Sequence, residues 1–94
     1  MSLYGTRTYR AAFGEHEIDF EFDRSGVIVN RGRLLIDGVK VDQSAVHYGE
    51  SAVHGQLDDG RGFKVSFGSG VVGQLKHVEL RLGDETIPME PVDG

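Results

Sequence analysis

From His16 to Asp23 the chain reads His-Glu-Ile-Asp-Phe-Glu-Phe-Asp, a strict alternation of apolar and acidic positions. Successive side chains of a β-strand point to opposite faces. Ile18, Phe20 and Phe22 therefore predict a buried face, and Glu17, Asp19, Glu21 and Asp23 a solvent-facing one. The preceding segment, Arg7 to Phe13, alternates in the same way. A two-residue turn at Gly14-Glu15 would place Tyr9 opposite Phe20, Ala11 opposite Ile18 and Arg10 opposite Asp19. One register then satisfies both faces, which a one-residue slip would not do.

The pattern recurs downstream. Val27-Ile28-Val29 follows a Ser25-Gly26 break, and Arg33 to Ile36 leads through Asp37-Gly38, a type I′ turn signal, into Val39-Lys40-Val41. Ser44 to Tyr48 and Ser51 to Leu57 flank Gly49-Glu50 and read as a further hairpin. Asp58 to Gly62 reads as a loop, Phe63 to Phe67 as a strand, and Gly68-Ser69-Gly70 as a flexible hairpin loop. Lys76 to Leu82 places Val78, Leu80 and Leu82 inward, and Gly83-Asp84 turns the chain into Thr86 to Met89. Pro88 lacks a backbone donor, so this last strand should lie at an edge or end there. No window keeps an apolar stripe at helical spacing. The expected fold is all-β, an antiparallel β-sandwich of about seven or eight short strands linked by hairpins, with a small barrel as its neighbour in fold space. Residues 1–94 read as one such domain, with 1–5 and 91–94 as frayed ends.

Composition narrows the functional classes. The chain has no cysteine, which removes disulfide frameworks, thiolate metal sites and cysteine nucleophiles. Ten basic residues against 15 acidic ones give a net charge of −5, which argues against a nucleic-acid partner or an anionic membrane surface. No apolar run approaches the ~20 residues of a membrane-spanning helix, and no charged-then-apolar leader opens the sequence. A cytoplasmic location is the expectation.

Constellations that could carry chemistry are few. Glu17, Asp19, Glu21 and Asp23 recur at every second residue, so neighbouring carboxylates lie about 6.6–6.8 Å apart along one strand. That is too wide for two of them to chelate one calcium ion. It overlaps the spacing of an inverting glycosidase pair, but an open strand face does not desolvate a carboxyl enough to hold a proton. The row reads as a solvated face partly neutralised by Arg10 and other arginines, or as a contact surface for a basic partner. None of His16, His47, His54 and His77 is spaced two apart on a strand, so a histidine metal site is not expected, nor is any cofactor. Ser69 lies in Gly-Ser-Gly and not in a G-x-S-x-G elbow, so no serine nucleophile is assigned. Asp58-Asp59-Gly60-Arg61-Gly62 opens like a calcium loop but lacks the later acidic positions.

The order Gly62-Phe63-Lys64-Val65-Ser66-Phe67, a glycine-rich loop, His77-Val78-Glu79-Leu80-Arg81-Leu82, the Gly83-Asp84 turn and Thr86-Ile87-Pro88 resembles the C-terminal part of the Fas apoptotic inhibitory molecule family. The resemblance extends over about Asp19 to Pro88. It implies an antiparallel β-sandwich that works as a binding module without a catalytic centre, in a family associated with cell-death signalling and with limiting protein aggregation. This chain has room for one sandwich where the family carries two, and it lacks the family's cysteines and tryptophans, so the signalling role does not transfer.

Taken together, the residues predict a non-enzymatic protein-interaction module. It would bind through a strand edge, with Val27-Ile28-Val29 or the final strand as candidates, or through the acidic face of Glu17, Asp19, Glu21 and Asp23. Homodimerisation is the simplest form of such binding. The alternative is a small-ligand-binding barrel, or a minor hydrolase using a carboxylate and a histidine, either of which needs a cavity lined by convergent polar groups.

Overall fold

A computed structural model describes residues 6–23, 30–46, 49–70 and 75–92. The described residues form nine strands: β1 Thr6–Phe13, β2 His16–Asp23, β3 Asn30–Ile36, β4 Val39–Val46, β5 Gly49–Gln56, β6 Gly62–Ser69, β7 Leu75–Leu82, β8 Glu85–Pro88 and β9 Glu90–Val92. They build two antiparallel sheets, one in the order β4-β3-β2-β1-β9 and the other in the order β5-β6-β7-β8. The chain is an all-β sandwich. No helix is long and apolar enough to cross a membrane among the described residues.

The β1–β2 register is the expected one: Tyr9 pairs with Phe20, Arg10 with Asp19 and Ala11 with Ile18. The Asp37-Gly38 turn also forms as expected, with φ of 51° and 86°, both in the left-handed region that a type I′ turn requires. Pro88 ends β8, the edge strand of the smaller sheet. Val27-Ile28-Val29 lies outside the described residues.

Four expectations are corrected. Val39 to Val41 and the segment from Ser44 belong to one strand, β4, which bulges against β3 between Leu34 and Leu35 and so carries one extra residue. Gly49-Glu50 is not a hairpin turn. It begins β5, which pairs with β6, whereas β4 pairs with β3 in the other sheet. A glycine between two alternating segments signals a corner as well as a hairpin; here Gly49 at φ 102° turns the chain from one sheet to the other. Gly68-Ser69 is buried strand, not flexible loop: β6 runs through Ser69, and the Asn30 amide donates to the Ser69 hydroxyl at 3.3 Å. At the C-terminal end, Pro91 and Val92 pair with Tyr9 and Thr8 of β1 instead of fraying.

The sheets meet at two covalent corners. β8 passes through buried Met89 into β9, and β4 ends at Val46 in one sheet while β5 begins at Gly49 in the other. On the β4–β5 side the gap is bridged by polar side chains. The Asp42 carboxylate accepts from the His54 backbone N–H at 2.7 Å, and the Ser44 and Ser51 hydroxyls lie 2.8 Å apart. An exposed strand edge is a template for indiscriminate pairing, and a carboxylate seated on its N–H removes a donor from that template.

Between the sheets, Ile18, Phe20, Phe22 and Leu34 face Val53, Val65, Phe67 and Leu80, all essentially buried. The centroids of Phe20 and Phe67 are 4.7 Å apart, and Phe22 completes the group at 6.0 Å from Phe67 and 6.4 Å from Phe20. Gly32 makes room for them. A Cβ there would lie 2.7 Å from Phe20 Cε1 and 2.8 Å from Phe67 Cζ.

Gly32→Ala should therefore destabilise the fold by about 1–3 kcal/mol through overpacking. Phe20→Ala should cost about 3–5 kcal/mol through the cavity it leaves. Urea denaturation followed by circular dichroism measures both. A Gly32→Ala variant as stable as the parent would show that the rings can move aside.

Candidate functional site

The carboxylates of Glu17, Asp19, Glu21 and Asp23 all project from β2, which sits between β1 and β3 in the five-stranded sheet. The pairing places Arg10 opposite Asp19, and Arg33 opposite Glu21. Arg10 reaches Asp19 through Nε at 2.8 Å and Nη2 at 3.2 Å, and Glu17 at 3.2 Å. Arg33 reaches Glu21 at 3.1 Å and Asp23 at 3.3 Å. The row is thus the centre of a cross-strand ion-pair ladder in which each arginine spans two carboxylates. The Asp19 hydrogen bond, followed by the attraction of Asp19 and Glu17, holds the Arg10 guanidinium above its ordinary pKa. The Asp19 and Asp23 side chains are only 13 % and 16 % exposed. Glu17, at 51 %, is the member most open to a basic partner.

The turns β1–β2, β3–β4 and β5–β6 gather at one end of the sandwich. There Asp37 Oδ1 accepts from the Glu17 N–H at 2.8 Å, its Oδ2 meets His16 Nδ1 at 2.8 Å, and its own N–H donates to the Glu17 carbonyl at 2.8 Å. These contacts sew the β3–β4 turn to the start of β2. His16 Nε2 lies 3.4 Å from Asp58 on the third turn. The Asp37 hydrogen bond raises the pKa of His16; the Glu17 N–H and then His16 lower that of Asp37. Asp59 spends its carboxylate on the Arg61 N–H and Nε, at 3.0 and 2.7 Å, and is held low by the first of these. The guanidinium of Arg61 in turn lies 5.3 Å from the Phe13 ring centroid. Among the described residues no three histidine or acidic side chains converge as a metal site would require.

The four-stranded sheet presents a different outer face. His77 on β7 meets Glu50 on β5 at 2.7 Å, across Gly68 on the intervening strand. A Cβ at Gly68 would lie 2.4 Å from Glu50 Oε2 and 2.6 Å from His77 Nε2, so the missing side chain lets the pair close. Further along the same strands, His54 pairs with Lys64 and Lys64 with Arg81. All three are exposed, and they line an open groove of about 630 Å³ bounded also by Gln56, Gly62 and Gly83. Alternation in the sequence puts Lys64 and Arg81 outward. Only the sheet order shows that they are neighbours, and the row was not foreseen. His47 lies outside the described residues.

No family model matches the chain, and neither a curated protein nor a solved structure matches it. The resemblance to the Fas apoptotic inhibitory molecule family thus rests on the short motifs between Gly62 and Pro88.

The His16–Asp37 contact predicts a pH signature. His16 is raised above its ordinary 6.5, so its contribution to stability is complete below that value and is lost as pH climbs through the raised one. Asp37 is lowered below its ordinary 3.8, so its contribution is complete above that value and is lost as pH falls through the lowered one. The stability difference between the parent and His16→Gln should therefore be largest near about pH 5 and shrink by about pH 8.5. Urea titrations of both proteins at the two pH values check it, and a pH-independent difference would remove the ionic part of the contact.

Proposed function

We propose that this chain is a cytoplasmic, non-enzymatic protein-interaction module that self-associates through the open half of β4. One observation carries the reading. Val39 and Val41, 65 % and 46 % exposed, are the large hydrophobic side chains left in solvent among the described residues, and both lie on an edge strand. The other half of β4 is bridged to β5 through Asp42 and Ser44, which confines the available edge to a short apolar stretch. A strand can pair antiparallel with its own copy about a two-fold axis, so a second copy of the chain is a self-complementary occupant. Lys40 between the valines acts as a gatekeeper that keeps the contact weak and selective.

Several features support a binding rather than a catalytic role. Ser44 and Ser51 hydrogen-bond each other, and Ser69 is buried against Asn30, so these hydroxyls serve the fold instead of facing a histidine. The interior between the sheets is filled by the phenylalanine group and its aliphatic neighbours, which speaks against a barrel with an enclosed ligand. An acidic net charge favours a protein over a nucleic acid or an anionic membrane. The family resemblance points the same way. In this reading the ladder of Glu17, Asp19, Glu21 and Asp23 is a secondary contact surface, with Glu17 as its accessible member.

Light scattering on a concentration series tests the proposal. A monomer–dimer equilibrium should appear, and Val39→Lys with Val41→Lys should abolish it while leaving the circular dichroism spectrum unchanged. A strictly monomeric parent at about millimolar concentration, well above the micromolar range of most specific contacts, would overturn self-association. A dimer untouched by the two substitutions would move the interface away from β4.

A further inference from the structure

The groove on the four-stranded sheet does not depend on the β4 edge and carries its own argument. β5, β6 and β7 set His54, Lys64 and Arg81 in one row, each directly opposite the next. Like charges directly across a sheet destabilise it, so the Lys64–Arg81 pair stands against the fold's own electrostatics. Some of this protein's arginines are closely paired, whereas Arg7 and Arg31 have no ion pair among the described residues. Arg10, Arg33 and Arg61 each lie within 3.3 Å of a carboxylate. Lys64 and Arg81 have no ion pair among the described residues, in a chain with 15 acidic residues to offer.

No carboxylate of the described residues forms an ion pair with the row, although Asp84 and Glu85 follow Gly83 at its rim. Asp42 is spent on the backbone N–H groups of His54 and Gln43. Glu79 stands two pairs along β7 from Arg81 and on the same face, opposite Ser66 and Pro88, and makes no ion pair with the row. At the rim Gly62 and Gly83 carry no side chain, so a ligand can lie directly against the strands. The Gln56 amide donates to the Gly60 carbonyl at 3.0 Å, which fixes that side chain at the groove wall. The groove is shallow and open to solvent, and Phe63 and Gly55 complete its floor, so it offers a small anion a surface seat and not an enclosed cavity.

We propose that this groove binds a small phosphoryl-bearing anion, with the Arg81 guanidinium as a two-pronged donor, Lys64 as a point charge and His54 as a third ring donor. The binding of such an anion offsets the repulsion within the row, which is the physical reason for keeping it. The energetic cost of the row in the free protein and its use in the bound one are two sides of the same arrangement.

The test uses pyrophosphate as probe, with the intact chain at constant ionic strength set by sodium chloride. Pyrophosphate should raise the melting temperature in a saturable manner and shift the Lys64 amide and Arg81 Nε–H resonances, while chloride does neither. The double variant Lys64→Gln, Arg81→Gln should bind at least about tenfold more weakly, since two charge-assisted contacts are lost. Its melting temperature without ligand should equal or exceed that of the parent, because the like-charge row is relieved. That last readout shows that the variant folds, so lost binding cannot be ascribed to unfolding. An effect of pyrophosphate that never saturates, that chloride reproduces, or that survives in the double variant would overturn the site. Tighter binding of citrate than of pyrophosphate would overturn the phosphoryl assignment.

Discussion

The rings of Phe20 and Phe67 approach to 4.7 Å across the gap between the sheets, and the remainder of the sandwich is organised around that contact. It joins β2, at the centre of the larger sheet, to β6, in the interior of the smaller one. Aromatic groups of this kind bury the largest apolar area per residue a core can offer, and a single domain of this size has little core to spare. Gly32 is the constraint that permits it, since any side chain there would occupy the space of both rings. Phe22, Leu34, Val53 and Val65 then fill the flanks, and the Asn30–Ser69 hydrogen bond satisfies a polar pair within the buried layer.

Closure follows from the same two sheets. Four edge strands would normally remain open in a sandwich, yet here they are brought together in pairs where the chain crosses between the sheets, at Met89 and between β4 and β5. Met89 is buried between Pro88 and the short β9, so that corner is sealed by packing. The other corner is sealed by polar side chains on β4 that reach β5. The backbone hydrogen bonds to Asp42, from His54 and then Gln43, hold its carboxyl below the ordinary range. What stays open is the stretch around Val39 and Val41.

Charge is distributed unequally over the two faces. On the larger sheet, acidic β2 lies between Arg10 and Arg33, and attraction is satisfied within the molecule. On the smaller sheet, Glu50 and His77 satisfy each other over Gly68, while His54, Lys64 and Arg81 stand together in the groove. The molecule is acidic overall, but Lys64 and Arg81 make this groove locally basic. The sign of the net charge therefore says little about what this particular face attracts, because a field at close range is set by the nearest side chains.

Local alternation by itself determined the all-β class, the β1–β2 register, the Asp37-Gly38 turn, the edge position of Pro88 and the outward direction of Glu17 to Asp23, because period-two patterning and turn chemistry act between residues close in the chain. It could not distinguish a hairpin from a corner at Gly49, since glycine serves both and the choice lies with the partner strand, β6, which follows later in the chain. Nor could it foresee that Gly68 and Ser69 are buried strand, or that Pro91 and Val92 return to β1 as β9. The groove was invisible for the same reason. Lys64 and Arg81 are each ordinary outward residues in their own strands, and only the order β5-β6-β7 makes them neighbours. Sequence fixes which side of a strand a residue takes; tertiary pairing, a long-range property, decides what it stands beside.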